Sequence, residues 1–142
     1  MKRRLALLLT VVVLLAACSR QTETLYTTED VVAALKAAQL DAAVLNAASS
    51  EDGIFGVPGR AISVGEHTFE VYEFSSAGAQ EQIKISPDGS TIETRKWFSR
   101  RVAAVSWIAP PKMVRKRNLI VAVVIPDTNL ATRIADAISA MP

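Results

Sequence analysis

The chain has 142 residues, half of them apolar, with one cysteine, one histidine and a formal charge of +2. That length suits one domain with a real core and argues against two. The cysteine and histidine counts leave no disulfide framework and no zinc-type ligand set, no serine sits in a Gly-x-Ser-x-Gly elbow, and no cofactor or metal is expected.

Met1-Lys2-Arg3-Arg4 is a basic start, Leu5 to Leu15 is an apolar run broken only by Thr10, and the small residues Ala16 and Ala17 precede Cys18. This is the three-part layout of a secretory signal, and it is too short for a membrane span of roughly 20 residues. The sequence Leu15-Ala16-Ala17-Cys18 resembles the lipobox of bacterial lipoproteins. The resemblance implies cleavage before Cys18 and a diacylglyceryl group on its thiol. Two acyl chains anchor a protein stably where one does not. Ser19 in place of aspartate resembles an outer-membrane address. The expected organisation is a signal peptide over 1–17, a tether over 18–26 and a single α+β domain over 27–142. Its expected location is the exported side of the cell membrane or outer membrane. An ordinary signal peptide and a short uncleaved anchor are the competing readings.

In the domain, Thr27 and Thr28 offer helix caps, Glu29 and Asp30 follow in the first turn, and apolar residues from Val31 to Leu40 recur at helical spacing. A helix is expected over about 28–40. Residues 41–48 are ambiguous between helix and loop. Residues 49–59 are punctuated by glycine and proline, yet carry Ile54, Phe55 and Val57, so the loop is expected to lie on the core. Residues 60–64 and 67–74 form a hairpin about Gly65-Glu66. A short helix is expected from Ser75 to about Ser86, then a turn at Pro87-Asp88-Gly89-Ser90. Residues 91–101 have no clear assignment. Strands are expected over 102–109 and 119–125, separated by a basic loop, and a final helix capped by Asp127 carries Leu130, Ile134, Ala137, Ile138 and Met141 on one stripe. The order α-β-β-α-β-β-α implies a mainly antiparallel four-stranded sheet with helices on one face. The wholly apolar strand 119–125 is expected inside the sheet, with cover on both faces or one face kept for a partner.

The segments Ile85-Ser86-Pro87-Asp88-Gly89-Ser90, Trp107-Ile108-Ala109-Pro110-Pro111 and Asn118-Leu119-Ile120-Val121, with the lipobox and Thr27-Thr28-Glu29-Asp30, resemble a family of small uncharacterised bacterial lipoproteins. That resemblance implies an envelope lipoprotein with one α+β domain, and no catalytic residue. Near residues 94–101 this chain is longer and more basic than the pattern.

Charge is strongly polarised. Residues 18–94 hold four basic and twelve acidic side chains, whereas 95–117 hold eight basic and none acidic. The eight are Arg95, Lys96, Arg100, Arg101, Lys112, Arg115, Lys116 and Arg117, interleaved with Trp97, Phe98 and Trp107. Cations with aromatics suit membrane interfaces and polyanions, and a lipid anchor with a polybasic patch is a two-signal attachment. The plainer reading is that these cations balance the acidic half. Nucleic acid is not an expected partner of an exported protein. His67 reads as a half-exposed strand residue. Two function classes follow. One is a non-enzymatic, membrane-anchored interaction module, contacting an envelope protein or an anionic lipid or polymer. The alternative is an envelope hydrolase or sugar-active enzyme using Glu66, Glu70 or Asp88, with Glu73 on the other strand face.

Overall fold

The computed structural model describes residues 23–48, 53–96 and 98–142. The signal segment, Cys18 and Trp97 lie outside them. Helix α1 (Thr28–Ala37) begins at a capping box, in which Thr27 Oγ1 accepts from Asp30 N and an Asp30 carboxylate oxygen accepts from Thr27 N at 2.8 Å. It buries Val31 and Leu35 and stops short of Leu40, because Gln39 takes a left-handed conformation (φ 59°). The alanine-rich stretch that follows is strand β1 (Ala42–Ala48), paired with β2 (Gly59–Val64) through Ala42↔Val64 and Val44↔Ile62. Alanine's helical preference is worth only tenths of a kcal/mol per residue, and the ladder to β2, although its register shifts between Val44 and Ala48, outweighs it.

Strands β2 and β3 (His67–Glu73) form the expected hairpin about Gly65, whose φ of 58° suits a tight turn. Helix α2 is only Ala77–Glu81, capped by Ser76, and gives way to the two-residue strand β4 (Lys84–Ile85). Strands β5 (Thr91–Lys96) and β6 (Ser99–Ala104) form a second hairpin. Strands β7 (Lys112–Lys116) and β8 (Leu119–Val123) form a third, and Asp127 caps α3 (Thr128–Ser139) by accepting from Asn129 N and Leu130 N.

The expected single four-stranded sheet is therefore replaced by two, and the expected order α-β-β-α-β-β-α becomes α-β-β-β-α-β-β-β-β-β-α. A five-stranded antiparallel sheet runs β1-β2-β3-β8-β7, and a three-stranded one runs β4-β5-β6. The strand expected over 102–109 ends at Ala104 and belongs to the small sheet. The basic stretch before residue 118, expected as a loop, is strand β7. The α+β class and the antiparallel pairing stand. Helices α1 and α3 lie together on one face of the large sheet, but α2 packs on the other, so the expected placement of all helices on one face does not hold.

Strand pleating divides the core. Ile62, Phe69, Val71, Leu119, Val121 and Val123 face α1 and α3. On the other face Tyr72, Ile120 and Ala122 pack against Phe55, Phe74, Ile83 and Ile92. Every residue of β8 is buried, and cover comes from both sides: the two longer helices on one, the loop at Phe55, α2 and the small sheet on the other. The loop around Phe55 thus lies on the core as its composition implies, with Phe55 edge-on to Tyr72 at 4.6 Å between ring centroids.

Candidate functional site

The eight cations separate into two groups with different surroundings. In the first, at β7 and its turn, three have internal partners. Arg115 Nη1 donates to the backbone and side-chain oxygens of Gln80, both at 2.8 Å, and Nη2 donates to Ile83 O at 2.5 Å. One guanidinium thereby closes the exposed carbonyl end of α2. Partial burial lowers the Arg115 pKa, yet a guanidinium keeps its charge at any ordinary pH. Lys116 Nζ donates to Ser139 O at 3.0 Å, at the carbonyl end of α3, where the helix dipole favours a cation. Arg117 Nη1 donates to Thr24 O at 3.1 Å, and its guanidinium lies 4.9 Å from the Tyr26 ring centroid. Beside it, buried Asn118 accepts from Tyr26 N at 2.7 Å and donates to Tyr26 O and Phe74 O at 2.9 and 3.2 Å. Tyr26, the last residue of the expected tether, is docked on the core. Lys112 is half-buried in β7.

The second group is on the β5–β6 hairpin, where Arg95 faces Arg100 and Thr94 faces Arg101 across the ladder. Like charges in opposed positions repel. Here Glu93 intervenes: its carboxylate meets Arg100 Nη2 at 2.8 Å, and that bond holds the carboxyl below the usual range. Lys96 closes β5 opposite Ser99. Phe98, in the turn, is fully exposed, and Val102 on β6 is more than half exposed. The hairpin therefore presents arginines and an aromatic tip to solvent.

Between this hairpin, the loop at Phe55–Val57 and α2 lies a groove of about 540 Å³. Phe55, Val57, Phe74, Ala79 and Ile83 supply apolar lining, Arg95 and Arg101 both border it, from opposite faces of the hairpin, and no carboxylate lines it among the described residues. Pleating explains the placement of Arg101. It shares a strand face with Thr94 and buried Ile92, so its side chain leaves the hairpin on the core-facing side. No motif in the sequence marks this groove. Its lining comes from four separate segments, of which the apolar loop 53–57 and the arginines of the basic stretch carried a signal.

The candidate carboxylates are dispersed. Glu66 is exposed in the β2–β3 turn. Glu70 accepts the Tyr72 hydroxyl, and burial with that carboxylate pushes the phenol pKa up. Glu73, on the other face, accepts from Thr28 N at 2.7 Å and from the Thr28 hydroxyl, at the amino end of α1. Asp88 accepts from the Ser86 and Ser90 hydroxyls and from Ser90 N, which holds its carboxyl down to about 2. Gly89 beside it has φ 72° and lies under Pro111 and Trp107, and the Trp107 indole donates to its carbonyl at 2.8 Å. His67 is half-buried at the start of β3, and among the described residues no three metal-ligating side chains converge. Among the same residues no helix is long and apolar enough to cross a membrane. No family model, curated protein or solved structure matches this chain.

Proposed function

We propose that the chain is a lipid-anchored bacterial envelope protein, attached through Cys18, whose domain is a non-enzymatic interaction module for an anionic surface. The observation that carries this reading is the β5–β6 hairpin, with exposed Arg95, Arg100 and Arg101 behind the exposed ring of Phe98. An aromatic tip ringed by cations suits the headgroup region of a bilayer. The other basic cluster supports the reading by contrast. Arg115, Lys116 and Arg117 have backbone carbonyls of this same chain as partners, so the contact is assigned to Arg95, Lys96 and Arg101 with Phe98, and Arg100 shares its charge with Glu93.

The test is co-sedimentation of residues 19–142, without lipid, with phosphatidylglycerol-containing and pure phosphatidylcholine vesicles. Binding is expected only to the anionic vesicles and should weaken as salt shortens the screening length to about 10 Å at 0.1 M. Each surface cation contributes about 1 kcal/mol, so Arg95→Gln with Arg101→Gln should cost roughly 30-fold in affinity. Absent binding, or binding indifferent to salt, sinks the proposal.

A further inference from the structure

The chain enters the domain beside the groove. Glu23 is the first described residue, and its carboxylate accepts from Ala77 N at 3.3 Å, at the start of α2. The same short helix lines the groove through Ala79, and the segment leading into it does so through Phe74. Cys18 precedes Glu23 by five residues, a reach of at most about 18 Å when fully extended. A lipid on Cys18 therefore holds α2, and the groove beside it, close to the leaflet.

The groove combines two chemistries. Its walls are apolar, from Val57, Phe74, Ala79 and Ile83, and Arg101 lines it with no carboxylate among the lining residues, whereas Arg95 leaves the other face of the hairpin beside Glu93. A free anion gains nothing from the apolar walls, and a neutral lipid gains nothing from the charge of Arg101. The volume of about 540 Å³ lies within the roughly 300–1,000 Å³ of small-molecule sites. We infer that the groove takes one acyl chain of an anionic phospholipid from the bilayer, with the headgroup phosphate at Arg101, the arginine on the core-facing side of the hairpin. This rests on the anionic-surface reading and deepens it. The hairpin touches the leaflet, and the groove then draws in part of one lipid.

The full-length lipidated protein would be reconstituted in phosphatidylcholine vesicles doped with phosphatidylglycerol carrying a diazirine at its acyl end. After photolysis, adducts are mapped by mass spectrometry. Adducts are expected on the peptides holding Val57, Phe74 and Ala79, and Arg101→Gln should reduce them about fivefold, the effect of one lost cation at the surface. Circular dichroism of that variant establishes that it is folded. Adducts confined to the hairpin around Phe98 would overturn the groove and leave the surface reading standing. A domain with no adducts would overturn both. Equal groove labelling by a diazirine phosphatidylcholine would overturn recognition of the phosphate.

Discussion

Replacing Asn118 with alanine should destabilise the domain by about 3–4 kcal/mol. Its amide makes three hydrogen bonds, two to Tyr26 and one to Phe74 O, and the residue is almost fully buried. A neutral hydrogen bond contributes about 1 kcal/mol net, and a buried partner left unpaired adds about 1–3 kcal/mol. The Tyr26 N–H is the group most exposed to that penalty, since a donor has only one bond to give. The backbone bond from Phe74 N to Asn118 O at 2.8 Å survives the substitution, so the turn itself persists. Against a total stability of about 5–15 kcal/mol the loss is large. In urea unfolding followed by circular dichroism, the midpoint should fall while the slope stays constant. The melting temperature should fall by roughly 10–20 °C. Asn118→Asp should be at least as harmful, because a carboxylate there still accepts from Tyr26 N but faces two carbonyl oxygens that need a donor. A loss below about 1 kcal/mol for the alanine variant would refute the view that this side chain fastens the entering segment to the sheet.

Other consequences follow from the same geometry. A Cβ at Gly89 would lie 2.6 Å from Pro111 Cγ, at a φ of 72°, so Gly89→Ala should cost about 1–3 kcal/mol and change Trp107 fluorescence. Glu73→Gln removes the anion at the amino end of α1, where Thr28 N donates to it, and should cost about 1 kcal/mol in chemical unfolding. The Asp88 carboxyl is held down to about 2, below the ordinary value near 3.9, so its contribution to stability is present above about pH 4 and is lost as pH falls towards 2. Titration of that carboxyl by NMR should show this low midpoint, and Ser86→Ala should raise it. Arg100→Gln should raise the Glu93 titration, because the partner that lowers it is gone.

Local signals in the sequence were sufficient for several elements. Thr27 with Asp30 marks the start of α1, Gly65 marks the β2–β3 turn, and Asp127 marks the start of α3. Each is encoded within four residues, so neighbours along the chain settle it. The wholly apolar run from Leu119 also implied an interior strand, with cover on both faces or one face kept for a partner, and the structure covers both. The β5–β6 hairpin lacked such a signal. The sequence between the two strands holds no glycine or asparagine of the kind that usually marks a hairpin turn, and the strands carry arginines where alternating apolar residues would announce a sheet. Strand β1 is alanine-rich and exists through its pairing with β2. The tertiary structure also decided the meaning of the charge. Eight cations within 23 residues look like one patch in the sequence. Three of them satisfy carbonyls at α2, α3 and the entering segment, contacts separated by 23 to 93 residues. Composition counts charges, but which charges remain free for a partner depends on backbone groups that only folding brings within hydrogen-bonding distance.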